Sequence, residues 1–369
     1  MAEIWEVECD VVPGLEGFLA RELRRCFRGR VGRLADSGRA SLRFGFQGSP
    51  AELLGLRTAQ AAYLALTFAG RRPTALLGHR HLRELMERIN TIRALHPPGS
   101  FASFRFGAAG RESSTFRRLA AELEVQTGLR HDPDDGELLI RVRPSTDGWE
   151  ALLRISPRPL ATRSWRVANY PGALNATIAA VMVDLTQPRP DDHFINLLCG
   201  SGTLLVERLT RCQTAEAVGV DVSRGALDAA TANLGAAALA ERARLMESDA
   251  TLTGLDMARY TALCADLPYG NLVGSHRENA DLYPALLQEA GRLAAPGGRF
   301  AVITHELRLF DACVAEARAT WQPERTFRLF QSGQRPQVYL LRRVDDGRAR
   351  RSKNGQGRPR RASPGDPPP

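Results

Sequence analysis

The sequence predicts an α/β protein in which a doubly wound parallel sheet follows smaller α+β units. Three observations predict this class. From residue 172 onward, short apolar segments alternate with Ala- and Leu-rich segments of helical length. Residues 1–155 also alternate between strand and helix patterns, in two groups. Between these regions, residues 156–171 contain three prolines, which are typical of a linker.

The region before the linker is predicted to form two α+β units. Residues 1–65 carry strand patterns at 4–12 and 40–46 and helix patterns at 15–26 and 51–66. Residues 66–155 carry helix patterns at 81–95 and 114–127 and strand patterns at 100–106, 137–143 and 149–155. We therefore expect one domain over 1–65, a second over 66–155 and a linker over 156–171.

The region after the linker is predicted to form one larger domain over 172–343. Its strand patterns lie at 194–198, 217–221, 243–247, 262–265, 299–304 and 338–342. Its helix patterns lie at 203–211, 224–234, 280–293 and 310–319. Connections long enough for a helix favour parallel strands with helices on both faces. Ligands of such sheets lie beyond the C-terminal strand ends, where the strand order reverses.

Charge is distributed unevenly along the 369 residues. Lys and Arg exceed Asp and Glu by nine overall. The excess is five over residues 66–165 and six over 342–369, whereas residues 166–341 have three more acidic than basic side chains. A basic accessory domain beside a near-neutral one fits a protein that binds a polyanion in one place and modifies it in another. A solvated charged surface explains the same balance equally well.

Several classes of protein are not expected. No apolar run approaches the ~20 residues of a membrane span, and the N-terminal segment is acidic where a signal peptide is basic. Six scattered cysteines without a Cys-x-x-Cys pair argue against a metal site. We expect a cytoplasmic monomer with no metal and no membrane partner. Residues 344–369, rich in Arg, Gly, Pro and Ser, predict a disordered basic tail.

A glycine-containing turn follows the first strand of the larger domain. Residues 199–203 read Cys-Gly-Ser-Gly-Thr, and an apolar helix pattern begins directly afterwards. Two glycines let the backbone approach a ligand closely and present its N–H groups. The dinucleotide fingerprint needs a third glycine where Leu205 stands. We therefore expect a nucleoside ligand without a pyrophosphate, although Gly-Ser-Gly also occurs in ordinary turns.

Two carboxylates follow the next two strands. Asp221 stands 21 residues after Gly200, at a strand end, where it can accept hydrogen bonds from both ribose hydroxyls. Asp249 follows the third strand, where a carboxylate can reach an adenine amino group. The alternative for Asp221 is a helix N-cap, a role that Ser223 could also fill. The alternative for Asp249 is a simple loop carboxylate.

The segment after the fourth strand, Asp266-Leu267-Pro268-Tyr269-Gly270, points to methyl transfer onto an exocyclic base amine. The lone pair of such an amine is delocalised, so two acceptors that hold its hydrogens make it a better nucleophile. The Asp266 carboxylate can be one acceptor and the Leu267 carbonyl the other, with Pro268 restricting the direction of that carbonyl. Tyr269 can stack on a flipped-out base. The alternative is an Asp-x-Pro turn with a packing tyrosine.

Together these segments resemble the class I S-adenosylmethionine-dependent methyltransferases, and more narrowly the THUMP-domain RNA methyltransferases that act on guanine N2. In that family a ferredoxin-like unit and a THUMP domain precede a Rossmann-like catalytic domain, an order that matches residues 1–341. The resemblance implies that 1–65 is ferredoxin-like and that 66–155 is a THUMP domain that binds the tRNA 3′ end. It also implies that the substrate is guanine N2 in tRNA, at position 6 of the acceptor stem.

The resemblance further assigns site residues. Asp266, Leu267, Pro268 and Tyr269 are similar to the catalytic Asp/Asn-Pro-Pro-Tyr/Phe motif. The residues implied to contact S-adenosylmethionine are Asn175, Asn196, Cys199, Gly200, Ser201, Gly202, Thr203, Asp221, Val222, Asp249, Ala250 and Asp266. The sequence departs from the family at Asn196-Leu197, where Asp-Pro is usual, and at Leu267, where proline is usual. Neither change removes a group that the chemistry needs.

Other functions stay open from the residues alone. They are an rRNA guanine-N2 methyltransferase, an adenine-N6 or protein-amide methyltransferase, and a non-catalytic RNA-binding protein. The basic region 66–165 favours RNA over a protein substrate but does not separate tRNA from rRNA. The presence of Asp221, Asp249 and Asp266 argues against a non-catalytic protein.

Overall fold

The computed structural model describes residues 3–36, 38, 40–70, 72–146, 148–268, 276–331 and 333–344. These residues fold around two sheets, one of eight strands and one of seven. No helix in this part of the chain is long and apolar enough to span a bilayer. The predicted basic tail lies outside the described residues, apart from Val344.

The eight-stranded sheet is built from residues before the predicted linker. Its strands are β1 (Ile4–Asp10), β2 (Ala35–Asp36), β3 (Ser41–Gln47), β4 (Ala61–Ala69), β5 (Ser103–Gly107), β6 (Arg130–His131), β7 (Leu138–Ser145) and β8 (Gly148–Arg154). Its helices are α1 (Glu16–Cys26), α2 (His79–Ala94) and α3 (Ser114–Thr127). The strand order is β2-β3-β1-β4-β8-β7-β5-β6. One apolar cluster buries a face of the sheet together with the buried sides of the three helices.

The predicted helix over 51–66 is wrong. Pro50–Gly55 is a short 3-10 helix, and Ala61–Ala69 is strand β4. Because β4 pairs with β1 on one side and β8 on the other, and its first five residues are all buried, it lacks the alternation that marks an exposed strand. The predicted domain boundary between residues 65 and 66 therefore falls inside a central strand. The assignment of a ferredoxin-like unit and a THUMP domain stays a prediction. In the structure, the strands of both predicted units belong to one sheet.

The seven-stranded sheet is built from residues after the predicted linker. Its strands are β9 (His193–Leu197), β10 (Glu216–Asp221), β11 (Arg244–Glu247), β12 (Tyr260–Asp266), β13 (Ala294–Thr304), β14 (Trp321–Arg328) and β15 (Gln337–Arg343). Its helices are α4 (Ala176–Leu185), α5 (Thr203–Arg211), α6 (Arg224–Ala236), α7 (His276–Leu293) and α8 (Leu307–Glu316). The strand order is β11-β10-β9-β12-β13-β15-β14. The predicted α/β class is confirmed.

This second sheet is mixed rather than wholly parallel, which corrects the prediction. Strands β9 to β13 are parallel, but β15 runs antiparallel to β13, and β14 runs antiparallel to β15. The connection between β14 and β15 is too short for a helical crossover, so these strands form a hairpin. Strand β14 was not predicted because most of its residues are polar and exposed. Helix α4 was not predicted because it is buried on nearly all sides and lacks a polar face.

The strand order reverses between β9 and β12. From β9 the sheet continues to β10 and β11 on one side, and from β12 it continues to β13 on the other. The loops after adjacent strands diverge at such a point and leave a crevice beyond the C-terminal strand ends. The glycine loop follows β9 and Asp266 ends β12, so the topology places both at this crevice.

A buried charge cluster joins the two sheets. Glu207 on α5 accepts hydrogen bonds from Nε and Nη2 of Arg57 at 3.0 and 2.7 Å and from Nε of Arg163 at 3.0 Å. Arg57 belongs to the N-terminal unit and Arg163 to the predicted linker, and Glu207 and Arg163 are both buried. Glu207 lies about one turn after Thr203, where α5 begins. The N-terminal unit and the linker are therefore attached to the helix that starts at the glycine loop.

Candidate active site

The glycine loop leaves β9 through three residues with positive φ. They are Leu198 at 53°, Gly200 at 52° and Gly202 at 78°. Gly202 is the N-cap of α5, and a Cβ there would lie 3.1 Å from Cβ of Ala230 on α6. A Cβ at Gly200 would meet no atom within 4 Å. Gly202 therefore permits close helix packing, whereas Gly200 serves the backbone conformation itself.

Asp221 ends β10 and holds the glycine loop. Its Oδ2 accepts from the Gly200 N–H at 2.8 Å and its Oδ1 accepts from the Ser223 N–H at 2.9 Å. The N-cap of α6 is Ser223, whose hydroxyl also contacts the Tyr170 hydroxyl at 3.1 Å. The cap role thus belongs to Ser223. Each Asp221 oxygen retains a second lone pair that can accept from a ligand hydroxyl.

Asp249 follows β11 in a turn that its own side chain stabilises. Its Oδ1 accepts from the Thr251 N–H at 2.8 Å and from the Thr251 hydroxyl at 2.7 Å. The carboxylate lines the same cavity as Asp221. Its position is therefore defined before any ligand binds.

These segments enclose a first cavity of about 420 Å³. Its lining comprises Tyr170, Pro171, Gly172, Ala173, Leu174, Leu198, Cys199, Gly200, Ser201, Thr203, Leu204, Asp221, Val222, Ser223, Asp249, Ala250, Asp266, Leu267, Pro268 and Leu282. Among the described residues the buried Ser201 hydroxyl has no hydrogen-bond partner. A largely apolar crevice with a few placed carboxylates fits a small ligand that carries a nucleoside.

Asp266 is the last residue of β12 and lines this cavity. Burial raises the pKa of its carboxyl group to about 7, because desolvation disfavours the charged form. Asp266 pairs with Ile303 of β13, and the Leu267 N–H donates to the Ile303 carbonyl at 3.0 Å. The carboxylate and the peptide that follows it are therefore held by the sheet.

Four polar side chains form a hydrogen-bond network at the carbonyl group of Pro268, two residues after Asp266. The Pro268 carbonyl accepts from the Tyr283 hydroxyl at 2.7 Å and from Nδ2 of Asn279 at 3.1 Å. The Tyr283 hydroxyl also contacts the Thr304 hydroxyl at 3.0 Å, and Asn279 Nδ2 donates to Oε1 of Glu306 at 3.0 Å. Sequence reasoning missed this network. The available signal was the pair of polar residues on the apolar side of helix α7.

A second cavity of about 410 Å³ adjoins the first. Its lining comprises Arg166, Asn169, Tyr170, Gly172, Ala173, Leu174, Asn175, Asp266, Ile303, His305, Gln331, Gln334 and Pro336. Asp266 and part of the segment 170–174 border both cavities. The second cavity is much the more polar of the two in its side chains. The two cavities meet at Asp266.

Most of the residues expected in the site come together in the first cavity. They are Cys199, Gly200, Ser201, Thr203, Asp221, Val222, Asp249, Ala250, Asp266, Leu267 and Pro268. Gly202 lies behind them as the cap of α5. Asn175 lines the second cavity instead, and its Oδ1 caps α4 by accepting from the Thr177 N–H at 2.8 Å. Tyr269 lies outside the described residues.

The expected contact of Asn196 with a cofactor stays a prediction. Asn196 is buried within β9, and it lines neither cavity. Its Nδ2 donates to the carbonyls of Leu197 and Cys264, at 3.2 Å in both cases. Its Nδ2 is therefore used inside the sheet, between β9 and β12, whereas its buried Oδ1 has no hydrogen-bond partner among the described residues.

Several lining residues were not among those expected. The segment 170–174 borders both cavities, and its signal in the sequence was the turn pair Pro171-Gly172, which we assigned to the end of the linker. Leu198, Leu204, Ser223 and Leu282 also line the first cavity. Within the described ranges, no cluster of three His, Cys, Asp or Glu side chains could hold a metal ion.

The chain is similar in sequence to known methyltransferases. Residues 163–337 match the family model of the RMKL-like methyltransferase domain. A tRNA (guanine(6)-N2)-methyltransferase of Thermus thermophilus is 27% identical over 309 residues, which cover 81% of this chain and 88% of that protein. The mouse tRNA (guanine(6)-N(2))-methyltransferase THUMP3 is 25% identical over 202 residues, or 51% of this chain. The match spans only 40% of the mouse protein's length.

Structural comparisons agree on the fold. The crystal structure of TrmN from Thermus thermophilus covers 93% of this chain with a TM-score of 0.73 and 23% identity, over the whole of that chain. The structure of SMU.472, a putative methyltransferase complexed with SAH, has a TM-score of 0.65 and 14% identity. This match covers 92% of this chain and 98% of that chain. The predicted Rossmann-like methyltransferase fold is therefore confirmed. Over residues 163–337, the chain is similar to the RMKL-like methyltransferase domain family.

Proposed function

We propose that this chain transfers a methyl group from S-adenosylmethionine to N2 of a guanine in tRNA, at position 6 of the acceptor stem. The observation that carries this proposal is the junction of the two cavities at Asp266. A methyl donor in the first cavity and a base in the second would face each other across this carboxylate. The Thermus thermophilus relative, a tRNA (guanine(6)-N2)-methyltransferase, supports the choice of substrate.

The residues of the first cavity fit S-adenosylmethionine. Asp221 would accept from the ribose hydroxyls, and Asp249 would accept from the adenine amino group. The glycine loop and the unpartnered Ser201 hydroxyl would serve the polar methionine end. When bound, this group supplies a methyl activated by a positively charged sulfur.

Asp266 and Leu267 would prepare the acceptor amine. The carboxylate and the neighbouring peptide carbonyl would each accept one amine hydrogen, which makes the nitrogen pyramidal and frees its lone pair. Because the pKa of Asp266 is raised to about 7, its carboxylate can also take the proton that the methylated nitrogen releases near neutral pH. The network behind Pro268 keeps this arrangement fixed before reaction.

The N-terminal unit would bind the 3′ end of the tRNA. The protein would act as a monomer in the cytoplasm. The excess of basic residues lies in 66–165. Exposed arginines stand on α2 and α3, at Arg80, Arg83, Arg117 and Arg118. Contacts of this kind with phosphates weaken as salt rises, so tRNA affinity should be salt-dependent.

Incorporation of labelled methyl into unmodified tRNA tests the function. The wild type should yield N2-methylguanosine, mapped by mass spectrometry of nucleosides. At saturating S-adenosylmethionine, Asp266→Ala should reduce the rate by at least about 100-fold. Asp256→Ala, at an exposed carboxylate that lines neither cavity, should leave the rate unchanged. Equal rates for wild type and Asp266→Ala, or a methylated adenine as product, would contradict the proposal.

A further inference from the structure

The second cavity has a polar wall built at the ends of two antiparallel strands. Ile303 of β13 pairs with Asp266 of β12, and His305 follows two residues later in the same direction. The next pair across the β13–β15 ladder, Thr304 with Gln337, places the turn before β15 beside the end of β13. The topology therefore brings His305 and this turn to one side of the cavity that Asp266 borders.

The turn carries Gln331 and Gln334 in a closed conformation. The Gln331 N–H donates to the Gln334 carbonyl at 3.0 Å, and the Gln334 N–H donates back to the Gln331 carbonyl at 2.9 Å. The N–H of Phe330 donates to the carbonyl of Pro13 at 3.1 Å, so the N-terminal unit also holds the turn. Both glutamines line the cavity, and their backbones are positioned before a ligand enters.

Arg166 adds a half-buried cation to the same cavity. Its Nη2 donates to the Leu174 carbonyl at 2.8 Å and to the Thr203 hydroxyl at 3.0 Å. Within the described ranges no carboxylate lies at ion-pair distance from it. A guanidinium carries donors only, so its other N–H groups require acceptors. Burial also lowers the pKa of His305, so that imidazole is neutral near pH 7.

We propose that Arg166, His305, Gln331 and Gln334 form a wall that recognises the 6-oxo edge of guanine. This inference rests on the proposed function, which places the N2 amine at Asp266. The O6 and N7 acceptors of guanine suit the donors of Arg166, and its N1–H suits a glutamine amide oxygen. A purine with an amino group at C6 would set a donor against Arg166 and would lack the N1–H. The wall therefore selects guanine over 6-aminopurines.

A tRNA with 2,6-diaminopurine at the methylated position tests this wall. The analogue keeps the reacting 2-amino group, replaces O6 with an amine and lacks the N1 proton. We expect wild-type kcat/KM to be at least about 100-fold lower for the analogue than for guanine. Gln334→Met and Arg166→Lys should each reduce this ratio to about tenfold or less. Gln322→Met, an exposed control on β14, should leave the ratio unchanged.

S-adenosylhomocysteine affinity and the wild-type rates on the two tRNAs distinguish a failure of the wall from a failure of the proposed function. S-adenosylhomocysteine affinity should stay within about threefold for Gln334→Met and Arg166→Lys, because neither residue lines the first cavity. Equal wild-type rates on guanine and the analogue would overturn the wall and leave the proposed function standing. Arg166→Lys with weakened affinity and an unchanged ratio would show that this cation serves the donor instead. No methylation of the guanine tRNA by the wild type would refute the proposed function, and the wall with it.

Discussion

The two cavities that meet at Asp266 are built in different ways. The first depends on contacts between neighbouring strand–loop–helix units, such as the 2.8 Å hydrogen bond from Gly200 to Asp221. The second is assembled from segments far apart in the chain, from Arg166 to Gln334, and its turn is held by the N-terminal unit. The difference teaches that the first cavity follows from local geometry, whereas the second depends on packing between the two halves.

The largest effect is expected at Glu207, whose charge cluster joins the two halves of the molecule. Glu207→Ala would leave Arg57 and the buried Arg163 without their carboxylate, so we expect the free energy of unfolding to fall by about 3–5 kcal/mol. Denaturant unfolding measures this change. Glu84→Ala, which removes an exposed pair with Arg80, should cost less than about 1 kcal/mol. Equal costs for the two variants would show that this cluster does not couple the halves.

A smaller effect, confined to the first cavity, is expected from Asp221→Ala. Loss of a charged acceptor for the ribose hydroxyls should weaken S-adenosylhomocysteine binding by roughly 10- to 150-fold, as measured by isothermal titration. Turnover at saturating donor should change by less than about threefold. Asp228→Ala, at an exposed carboxylate on α6, should bind normally. If Asp221→Ala also binds S-adenosylhomocysteine normally, the proposed contact of Asp221 with the ribose is wrong.

The smallest effect is expected from a change in the N-terminal unit where it contacts the turn of the second cavity. Gly14 has a φ of 98°, and a Cβ there would lie 2.4 Å from the Arg328 carbonyl oxygen, just before the turn that carries Gln331. Gly14→Ala should lower turnover on tRNA by up to roughly tenfold while S-adenosylhomocysteine affinity is unchanged. Gly29→Ala is the matched control, since Gly29 has a φ of 76° but no atom within 4 Å of its Cβ position. The same turnover for both variants would contradict the coupling.

Sequence patterns predict those parts of the site that are set by local structure. Residues 199–203, Asp221, Asp249 and the segment 266–268 were expected together, and the first cavity brings nearly all of them together. Each lies at a strand end or a helix start, where a few neighbouring residues determine the backbone. The parallel arrangement of β9 to β13 then places these ends at one edge of the sheet.

The parts that depend on tertiary packing could not be predicted in the same way. His305, Gln331 and Gln334 are isolated polar residues, and only the pairing of β13 with β15 brings them beside Asp266. The hydrogen bond from Asn196 to the Cys264 carbonyl is a contact of the same kind, because it forms only where β9 and β12 pair. The strand β4 resembled a helix because burial between two strands removes its alternation.

The pH dependence of methyl transfer tests the role of Asp266 most directly. Burial raises the pKa of this carboxyl group to about 7, so the acceptor is lost by protonation as pH falls through that value. In single turnovers with saturating donor and tRNA, between about pH 5 and 8, the wild-type rate should rise about tenfold per unit and then level off. The inflection of the pH–rate profile should lie at or below about pH 7, since the positively charged methyl donor favours the ionised form of the Asp266 carboxyl group. Asp266→Asn should be at least about 100-fold slower and show no inflection. A wild-type rate that is flat over this range, matched by an equally active Asp266→Asn, would contradict the account.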